Sequence, residues 1–468
     1  MNNELETLIG LEIHMELLTE TKMYCSCKNT FGKMENTVVC PICSGYPGSL
    51  PNINQKAAEL AVRAGLALNC KINRRFKMER KNYFYPDLPK GYQISQLYLP
   101  VCENGYLEVK GKKYLISNIH LEEDAGKLGG NGIDLNRCGI PLIEIVTEPC
   151  FNSAEETIAF LKELRLVMIY AGVSDCRIEQ GSMRCDVNVS VHRKNSPPGE
   201  RCELKNVSGF TNVFDGIIYE EKRQRELLVK GEKNTVETRR WDPSARSSVL
   251  LRTKENAEDY RYFEEPDLPA VVIDEEIIKK AAFDLPKLPA QKRSDYVSSG
   301  LTEQAAEDII QDPRKDRLFG GCEALGLCCA KTVSSLVNGI AAEYLNSAPS
   351  LFDKDIDGIC KALCRIGALR EKGAVSSTSV RILFEEYLKS GSDIYVLVQK
   401  LRLEQVSDGG SIEKLVNDVL LINEKSISDY KKGKTNALAF LVGQCMKRSG
   451  GKTDPVLCKE AILKKIEE

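Results

Sequence analysis

A histidine flanked by two glutamates is the first group along the chain that could do chemistry. Residues 7–18 read TLIGLEIHMELL, and this alternation of apolar and polar residues predicts a β-strand. On such a strand Glu12, His14 and Glu16 share one face, each about 7 Å from the next. Carboxylate and imidazole groups at this spacing favour a divalent-cation site, and the open alternative is an ordinary solvated strand face.

Four cysteines follow in two closely spaced pairs. Cys25 and Cys27 form the first pair, and Cys40 and Cys43 form the second, inside the segment VVCPICSGYPG. Two thiolate pairs joined by a short loop can supply four soft ligands to one tetrahedral zinc ion. Because neither cysteine pair has a histidine or carboxylate between its two thiols, we expect this zinc knuckle (residues 25–43) to hold a structural zinc ion, and the open alternative is four reduced thiols.

Further acidic residues lie on other predicted strands. Asp186 shares a polar face with Arg184 in the segment MRCDVNVSV, and Glu203 shares a face with Lys205 in CELKNV. The segment HLEEDAG carries three consecutive acids at residues 122–124, where a strand gives way to a turn. We expect these carboxylates to converge on one or two magnesium ions, which require oxygen ligands. Taken singly, an acid of this kind is more often a surface charge, and only convergence would make a site.

Basic residues accumulate near the end of the chain. From residue 425 onward there are ten Lys or Arg against five Asp or Glu, a local charge of +5. Cations at predicted helix ends and loops suit contacts to nucleic-acid phosphates, and a plain basic helical tail is the alternative. The candidate phosphate contacts are Lys431, Lys432, Lys434, Lys447, Arg448 and Lys452.

The elements that must position these groups form a mixed α+β pattern. Short strands are predicted at 114–121, 140–146 and 183–191, and helices at 54–69 and 154–170. From residue 292 onward helical periodicity dominates, with composition breaks near 290 and 408. We therefore expect a large, mostly antiparallel α/β cradle over 1–290, an all-helical domain over 291–407 and a small helical tail domain over 408–468.

Composition limits the broad class. The 468 residues carry 65 Lys or Arg and 67 Asp or Glu, so the net charge of −2 excludes a wholesale nucleic-acid coat. No apolar run reaches 18 residues and the first residues are acidic, which predicts a soluble, cytoplasmic protein with no membrane association. The sequence contains no P-loop, nucleophile elbow, kinase catalytic loop or dinucleotide fingerprint, so any ATP is bound by other means.

Several longer segments resemble one protein family, the B subunits of bacterial aspartyl/glutamyl-tRNA amidotransferases. The resemblance runs from about residue 7 to the end of the chain. It implies that the last domain of the chain is similar to YqeY-like proteins. The segments that carry it are IGLEIHMEL, YPGSLPNINQKA, RKNYFYPDLPKGYQISQ, HLEEDAGK, DLNRCGIPLIEIVTEP, MRCDVNVSV, ELKNVSGF, DYRYFEEPDLPAV and FLVGQCMK.

The resemblance implies an enzyme that corrects mischarged tRNA. With ATP and Mg²⁺, the chain would phosphorylate the side-chain carboxylate of Glu-tRNA(Gln) or Asp-tRNA(Asn). Ammonia from a glutaminase, the A subunit, would then displace phosphate and leave an amide, and a small C subunit would complete a heterotrimer. This chain lacks a Gly/Ser-rich amidase signature, so we expect it to depend on its glutaminase partner for ammonia.

The resemblance also implies roles for single residues within the matching segments. Strict strand alternation would place Glu122, not Glu123, on the face of His120, so assigning Glu123 to the metal supposes a turn that starts near Glu122. Metal and catalytic roles go to Glu12, His14 and Glu123, further magnesium contacts to Asp186 and Glu203, and nucleotide phosphate contacts to Lys81, Lys205 and Arg240.

Two other interpretations compete with this one. A non-catalytic tRNA-binding scaffold would leave the cradle acids solvated. A stand-alone metal hydrolase would use the Glu12 and His14 face without tRNA or a partner, but the sequence offers it no separate activated nucleophile.

Overall fold

A computed structural model describes residues 5–129, 132–253, 257–404, 409–449 and 453–467. The chain divides into two compact units, residues 1–289 and 290–468. Within the described residues, no helix is long and apolar enough to cross a membrane.

The first unit contains the strands. They are β1 (Leu5–Glu16), β2 (Lys71–Ile72), β3 (Arg75–Phe76), β4 (Glu79–Asn82), β5 (Tyr92–Ser95), β6 (Cys102–Val109), β7 (Lys112–Glu123), β8 (Lys127–Gly129), β9 (Gly132–Asp134), β10 (Pro141–Thr147), β11 (Met183–Arg193), β12 (Cys202–Lys205), β13 (Glu237–Asp242), β14 (Ser247–Thr253), β15 (Phe263–Glu264) and β16 (Val271–Val272).

Nine of these strands form the main sheet, in the order β14-β13-β12-β11-β1-β10-β7-β6-β2. Strand β1 is central, between β11 and β10, and every neighbouring pair is antiparallel except β12 with β13. That parallel pair requires a crossover, since parallel strands cannot be joined by a tight turn. The helix at Phe210–Val229 (α3) supplies it.

The described part of this unit has four longer helices, α1 (Gln55–Ala67), α2 (Ala154–Tyr170), α3 (Phe210–Val229) and α4 (Glu275–Phe283), with short 3₁₀ turns at Ile178–Gln180 and Ala257–Tyr260. The amide-oxygen cap of Asn54 begins α1 and the hydroxyl cap of Ser153 begins α2. Side chains of α1, α2 and α3 pack with the apolar row of β1 into one core. The helices thus cover one face of the sheet and leave the polar face of β1 to other elements.

That apolar row comprises Ile9, Leu11, Ile13, Met15 and Leu17, each at most 1% exposed. The strand predicted from residues 7–18 therefore has the two faces that its alternation indicates.

A small sheet, β15-β4-β5, lies against the end of β7. The sequence PDLP occurs twice, at residues 86–89 and 266–269. The small sheet pairs the strands that precede these two occurrences, because Phe263 lies opposite Arg80 and Glu264 opposite Glu79. The side chain of Gln96, just after β5, accepts a hydrogen bond from the Leu121 amide at 2.8 Å. Two-stranded sheets pair β3 with β16 and β8 with β9.

The second unit is helical in its described residues. Its helices are α5 (Pro289–Ser298), α6 (Glu303–Ile310), α7 (Pro313–Leu325), α8 (Ala330–Leu336) continuing through a π segment (Val337–Ala341) into α9 (Ala342–Ser347), α10 (Pro349–Lys354), α11 (Ile356–Glu371), α12 (Ser377–Ser390), α13 (Ile394–Lys400), α14 (Gly409–Ile422), α15 (Glu424–Lys431), α16 (Asn436–Arg448) and α17 (Pro455–Glu467). Buried side chains of α14, α16 and α17 form a core of their own.

These elements confirm the predicted α+β class, with a mostly antiparallel sheet followed by helices. The division into three domains at residues 290 and 408 stays a prediction.

Candidate active site on the polar face of the sheet

The register of the central strands gathers polar side chains on one face. His14 lies opposite Glu144 of β10 on one side and Arg184 of β11 on the other, and Glu12 lies opposite Asp186. Directly opposed residues on antiparallel strands point to the same side and lie about 5 Å apart. Three strands that are distant in sequence therefore contribute to one polar surface.

His14, Glu122 and Glu144 form a group that could hold a metal ion. One ligand atom from each lies within 4.8 Å of the other two, and His14 Nε2 is 3.2 Å from Glu122 Oε1. The Ser95 hydroxyl donates to the other oxygen of Glu122 at 3.3 Å and so orients that carboxylate. Two carboxylates and one imidazole are a donor set that fits a divalent cation such as magnesium or manganese.

The charges of this group depend on one another. Burial by itself would lower the pKa of His14, but the carboxylates of Glu122 and Glu144 raise it to about 9. Burial would raise the pKa of Glu144, but His120, His14 and Lys81 hold it well below its usual value. Without a metal the site is therefore an imidazolium among carboxylates, and a bound cation would have to displace the proton of His14.

Lys81 reaches this face from the small sheet. Burial would lower its pKa, but Tyr262, Glu144 and Glu122 together raise it, so the side chain stays an ammonium. Its Nζ lies 5.1 Å from the ring centroid of Tyr260. A half-buried cation beside these carboxylates is well placed to contact an anionic substrate.

A second polar group lies next to the first, centred on Glu12. Asn188 donates to Glu12 at 2.9 Å, while Lys205 contacts Asp186 at 3.1 Å and Glu203 at 2.6 Å. Burial raises the pKa of Glu12, and Glu144 and Glu203 add to the effect. Burial would also raise the pKa of Glu203, but Lys205 keeps it low. Within the described residues Glu12, Asp186 and Glu203 do not form a tight three-ligand group like that around His14.

Arg240 lies at the margin of this surface. It is opposite Lys205 in the register of β12 with β13, and its side chain is exposed. Of the three cations assigned to nucleotide phosphates from the sequence, two are thus embedded among the acids and one is at the edge.

Glu123 does not join the His14 group. Strand β7 stays paired with β10 as far as Glu123 opposite Pro141, so the turn that was supposed near Glu122 is not formed there. Alternation therefore sends Glu122 to His14 and Glu123 to the opposite face. There Glu123 forms an ion pair with Lys90 and accepts from the Ile94 amide at 3.1 Å.

Two members of the His14 group, Glu122 and Glu144, were not assigned to the metal from the sequence. Glu144 is the one charged residue in the run PLIEIVT, and an isolated acid inside an otherwise buried strand is the signal that could have identified it. For Glu122, the strict alternation of HLEED already placed it on the face of His120.

The four cysteines of the predicted knuckle lie together. The sulfur atoms of Cys25, Cys27, Cys40 and Cys43 are all within 4.8 Å of one another, and the Cys40 amide donates to Cys43 Sγ at 3.2 Å. Lys22, only 1% exposed, lies beside them with its Nζ 3.5 Å from Cys43 Sγ. Hydrogen bonding from Cys25 lowers the pKa of Cys43 to about 4, and Lys22 adds to the effect. This cysteine cluster could bind a soft metal ion such as zinc.

The basic residues of the tail lie at helix ends and are exposed: Lys431 closes α15, Lys432 and Lys434 follow it, and Lys447 and Arg448 close α16. Lys434 contacts Asp429 at 3.1 Å and Arg448 contacts Asp418 at 3.9 Å. Lys452 lies outside the described residues.

Known proteins match this chain over nearly its whole length. A family described as the GatB/GatE catalytic domain matches residues 7–279, and one described as a GatB domain matches residues 323–466. The B subunit of the aspartyl/glutamyl-tRNA(Asn/Gln) amidotransferase of Caldicellulosiruptor saccharolyticus is 44% identical, over 99% of this chain and 100% of its own length. The B subunits of the same enzyme from Thermoanaerobacter pseudethanolicus and Geobacter sulfurreducens are each 42% identical, over 99% of both chains. With two family matches in chain order and relatives aligned over nearly every residue, this chain belongs to the family of aspartyl/glutamyl-tRNA amidotransferase B subunits.

Proposed function

We propose that this chain catalyses the ATP-dependent amidation of mischarged tRNA. It phosphorylates the side-chain carboxylate of Glu-tRNA(Gln), Asp-tRNA(Asn) or both, and ammonia then displaces the phosphate to form the amide. The names of its relatives support the substrate class. The observation that carries the chemistry is the His14, Glu122 and Glu144 group with Lys81 beside it.

The metal assignment follows from the donor set. His14, Glu122 and Glu144 would hold Mg²⁺, in place of the set that included Glu123. When bound, the cation neutralises phosphate oxygens as two anions approach each other. The neighbouring residues Glu12, Asp186 and Glu203 are further candidates for contact with a second cation or its water ligands.

The basic side chains on the polar face of the sheet have a different role from the acidic ones. Transfer of a phosphoryl group to a carboxylate concentrates negative charge, and fixed ammonium groups stabilise that charge without reorganising. Lys81 would serve phosphate oxygens near His14, and Lys205 would serve those near Glu12. Arg240, being exposed, would reach the outer part of the nucleotide.

The chain requires partners for the second half-reaction. We place it in the cytoplasm in a heterotrimer with the glutaminase A subunit, which releases ammonia, and a small C subunit. The cysteine cluster binds a structural Zn²⁺, because it has four thiols and no open position. In the tail, Lys431, Lys432, Lys434, Lys447 and Arg448 contact tRNA phosphates.

The test compares two glutamates four residues apart. Glu144→Gln removes a proposed metal ligand, whereas Glu148→Gln changes an exposed residue just beyond β10. The assembled heterotrimer is given ATP, Mg²⁺ and Glu-tRNA(Gln), and the ADP and Gln-tRNA formed are measured. We expect Glu144→Gln to lose at least about tenfold in rate, with partial recovery at high Mg²⁺, and Glu148→Gln to resemble the unaltered protein. Full activity of Glu144→Gln would remove the metal site from the mechanism and favour the non-catalytic tRNA-binding scaffold.

A further inference from the structure

A cavity of about 240 Å³ lies at the end of the polar face. It is lined by the end of β1, the loop that follows it, the paired strands β8 and β9, and the 3₁₀ turn at Ile178–Gln180. No role proposed above uses this cavity. The lining residues that matter for its chemistry are Glu16, Thr30, Phe31, Lys33, Lys127 and Arg137.

The cavity is joined to the His14 group by a row of ion pairs. Arg137 contacts Glu16 at 3.1 Å and also pairs with Asp124. Arg184, which lies opposite His14 in the sheet, contacts the other oxygen of Asp124 at 2.9 Å. Since Glu16 is two residues beyond His14 on the same face of β1, the cavity wall is about 7 Å from the proposed metal ligands.

The lining offers the groups that bind a nucleoside. Phe31 is 68% exposed, and an exposed aromatic ring is a platform on which a base can stack. Lys33 and Lys127 are exposed cations at the rim, suited to backbone phosphates. The Thr30 hydroxyl is buried beside the cavity without a hydrogen-bond partner among the described residues, so its donor and acceptor are unused.

We propose that this cavity takes the 3′-terminal adenosine of the aminoacyl-tRNA, with the base against Phe31. The proposal rests on the function proposed above. From the ester oxygen on the ribose to the carboxylate carbon of a glutamyl group is about 6 Å when extended, which matches the distance from cavity to metal ligands. The carboxylate of Glu16 then faces the α-ammonium group of the amino acid, and the rim lysines face the preceding phosphates.

ATP is the other source of an adenosine. The triphosphate arm of ATP and a glutamyl ester have similar extended lengths, so length does not distinguish them. The carboxylate of Glu16 in the lining does, because it would attract the α-ammonium group of an aminoacyl ester and repel a triphosphate.

The first test measures binding without turnover. The probe is 3′-deoxy-3′-(glutamylamido)adenosine, an amide analogue of the tRNA end, added to the assembled heterotrimer. We expect Phe31→Ala to weaken binding of the analogue about tenfold and Phe31→Tyr to restore it, because only the stacking surface matters. Phe283→Ala is the matched control, since Phe283 is 89% exposed in α4 and lies outside the cavity.

The second test separates the two sources of adenosine. With intact Glu-tRNA(Gln), Phe31→Ala and Glu16→Gln should each raise the KM for tRNA about tenfold and leave the KM for ATP unchanged. A rise in the KM for ATP, or competition between ATP and the analogue, would assign the cavity to ATP and overturn the proposal. Unchanged binding of the analogue in both variants would overturn it as well, even if the enzyme amidates tRNA normally. Conversely, specific binding of the analogue in a complex that makes no amide would support the cavity and refute the function.

Discussion

The ion pair of His14 with Glu122 makes the metal-free fold sensitive to pH. In the folded chain the pKa of His14 is about 9, against 6.5 in the unfolded chain. The pair therefore contributes fully below pH 6.5, and its contribution disappears as the pH rises through 9. We expect the free energy of unfolding to fall by up to about 3 kcal/mol over that range in the presence of a chelator.

The single tryptophan allows this measurement on the first unit alone. Trp241 is 1% exposed in β13, so its fluorescence follows unfolding of the sheet. Urea titrations at pH 6.5 and 9 should show the loss in the unaltered chain, and His14→Gln should flatten it. His192→Gln is the control that keeps the His14 pair. An equal pH dependence in His14→Gln would show that other groups cause it.

Lys22 offers a second prediction about a single residue. A zinc ion with four thiolates carries a net charge of −2, and the buried ammonium of Lys22 lies 3.5 Å from one of the sulfur atoms. We expect Lys22→Met to lose zinc to a competing chelator at a concentration roughly tenfold lower than the unaltered chain does. Lys28→Met, at an exposed position next to Cys27, should retain zinc normally. Well under one zinc per chain in the unaltered protein would refute the zinc site itself.

Single residues were predictable where their signal is local. Glu12 and His14 stand out because the alternation around them is visible in twelve residues. Glu144 could be recognised only as an acid in an apolar run, and its pairing with His14 depends on which strand lies beside β1. The assignment of Glu123 rests on the family resemblance and requires a turn near Glu122, whereas β7 stays paired with β10 as far as Glu123.

At the scale of elements, the polar face depends on the core behind it. Leu11 is 1% exposed, next to Glu12 on the buried side of β1. We expect Leu11→Ala to lower the free energy of unfolding by about 2–5 kcal/mol, because it leaves a cavity under the central strand. The control is Leu18→Ala, at a position that is 49% exposed just after β1, which should cost well under half as much. Urea titrations followed by Trp241 fluorescence compare the two, and a similar loss in both would contradict the central role of β1.

The order of the strands in the sheet could not be predicted from the sequence pattern, for a physical reason. Alternation predicts that β1, β7, β10 and β11 exist and which side chains share a face, since period two is a local property. The order of strands is set by long-range pairing, and the parallel placement of β12 beside β13 depends on the crossover helix α3. The sequence therefore supports a convergence of carboxylates in general, but it does not identify Glu122 and Glu144 as the ones beside His14.

For the whole molecule, the total charge is close to neutral, so any contact with nucleic acid must come from a local group of basic residues. The chain carries −2 overall, whereas the residues from 425 onward carry ten basic and five acidic side chains. Phosphate contacts release counterions, so each one adds roughly 0.7–0.9 to the slope of log affinity against log salt concentration. A local patch is therefore measurable as a change in that slope even though the molecule as a whole is slightly acidic.

The last prediction applies this to the tail. Changing Lys431, Lys432 and Lys434 together to Gln should reduce the salt slope of tRNA binding by about two, and should leave binding of the aminoacyl-adenosine analogue unchanged. The matched control changes Lys361, Lys372 and Lys400, which are exposed in the same unit but outside the tail. Binding of Glu-tRNA(Gln) to the heterotrimer is measured at several salt concentrations. If both triple variants reduce the slope equally, tRNA is attracted by the helical unit in general and the tail has no separate contact with it.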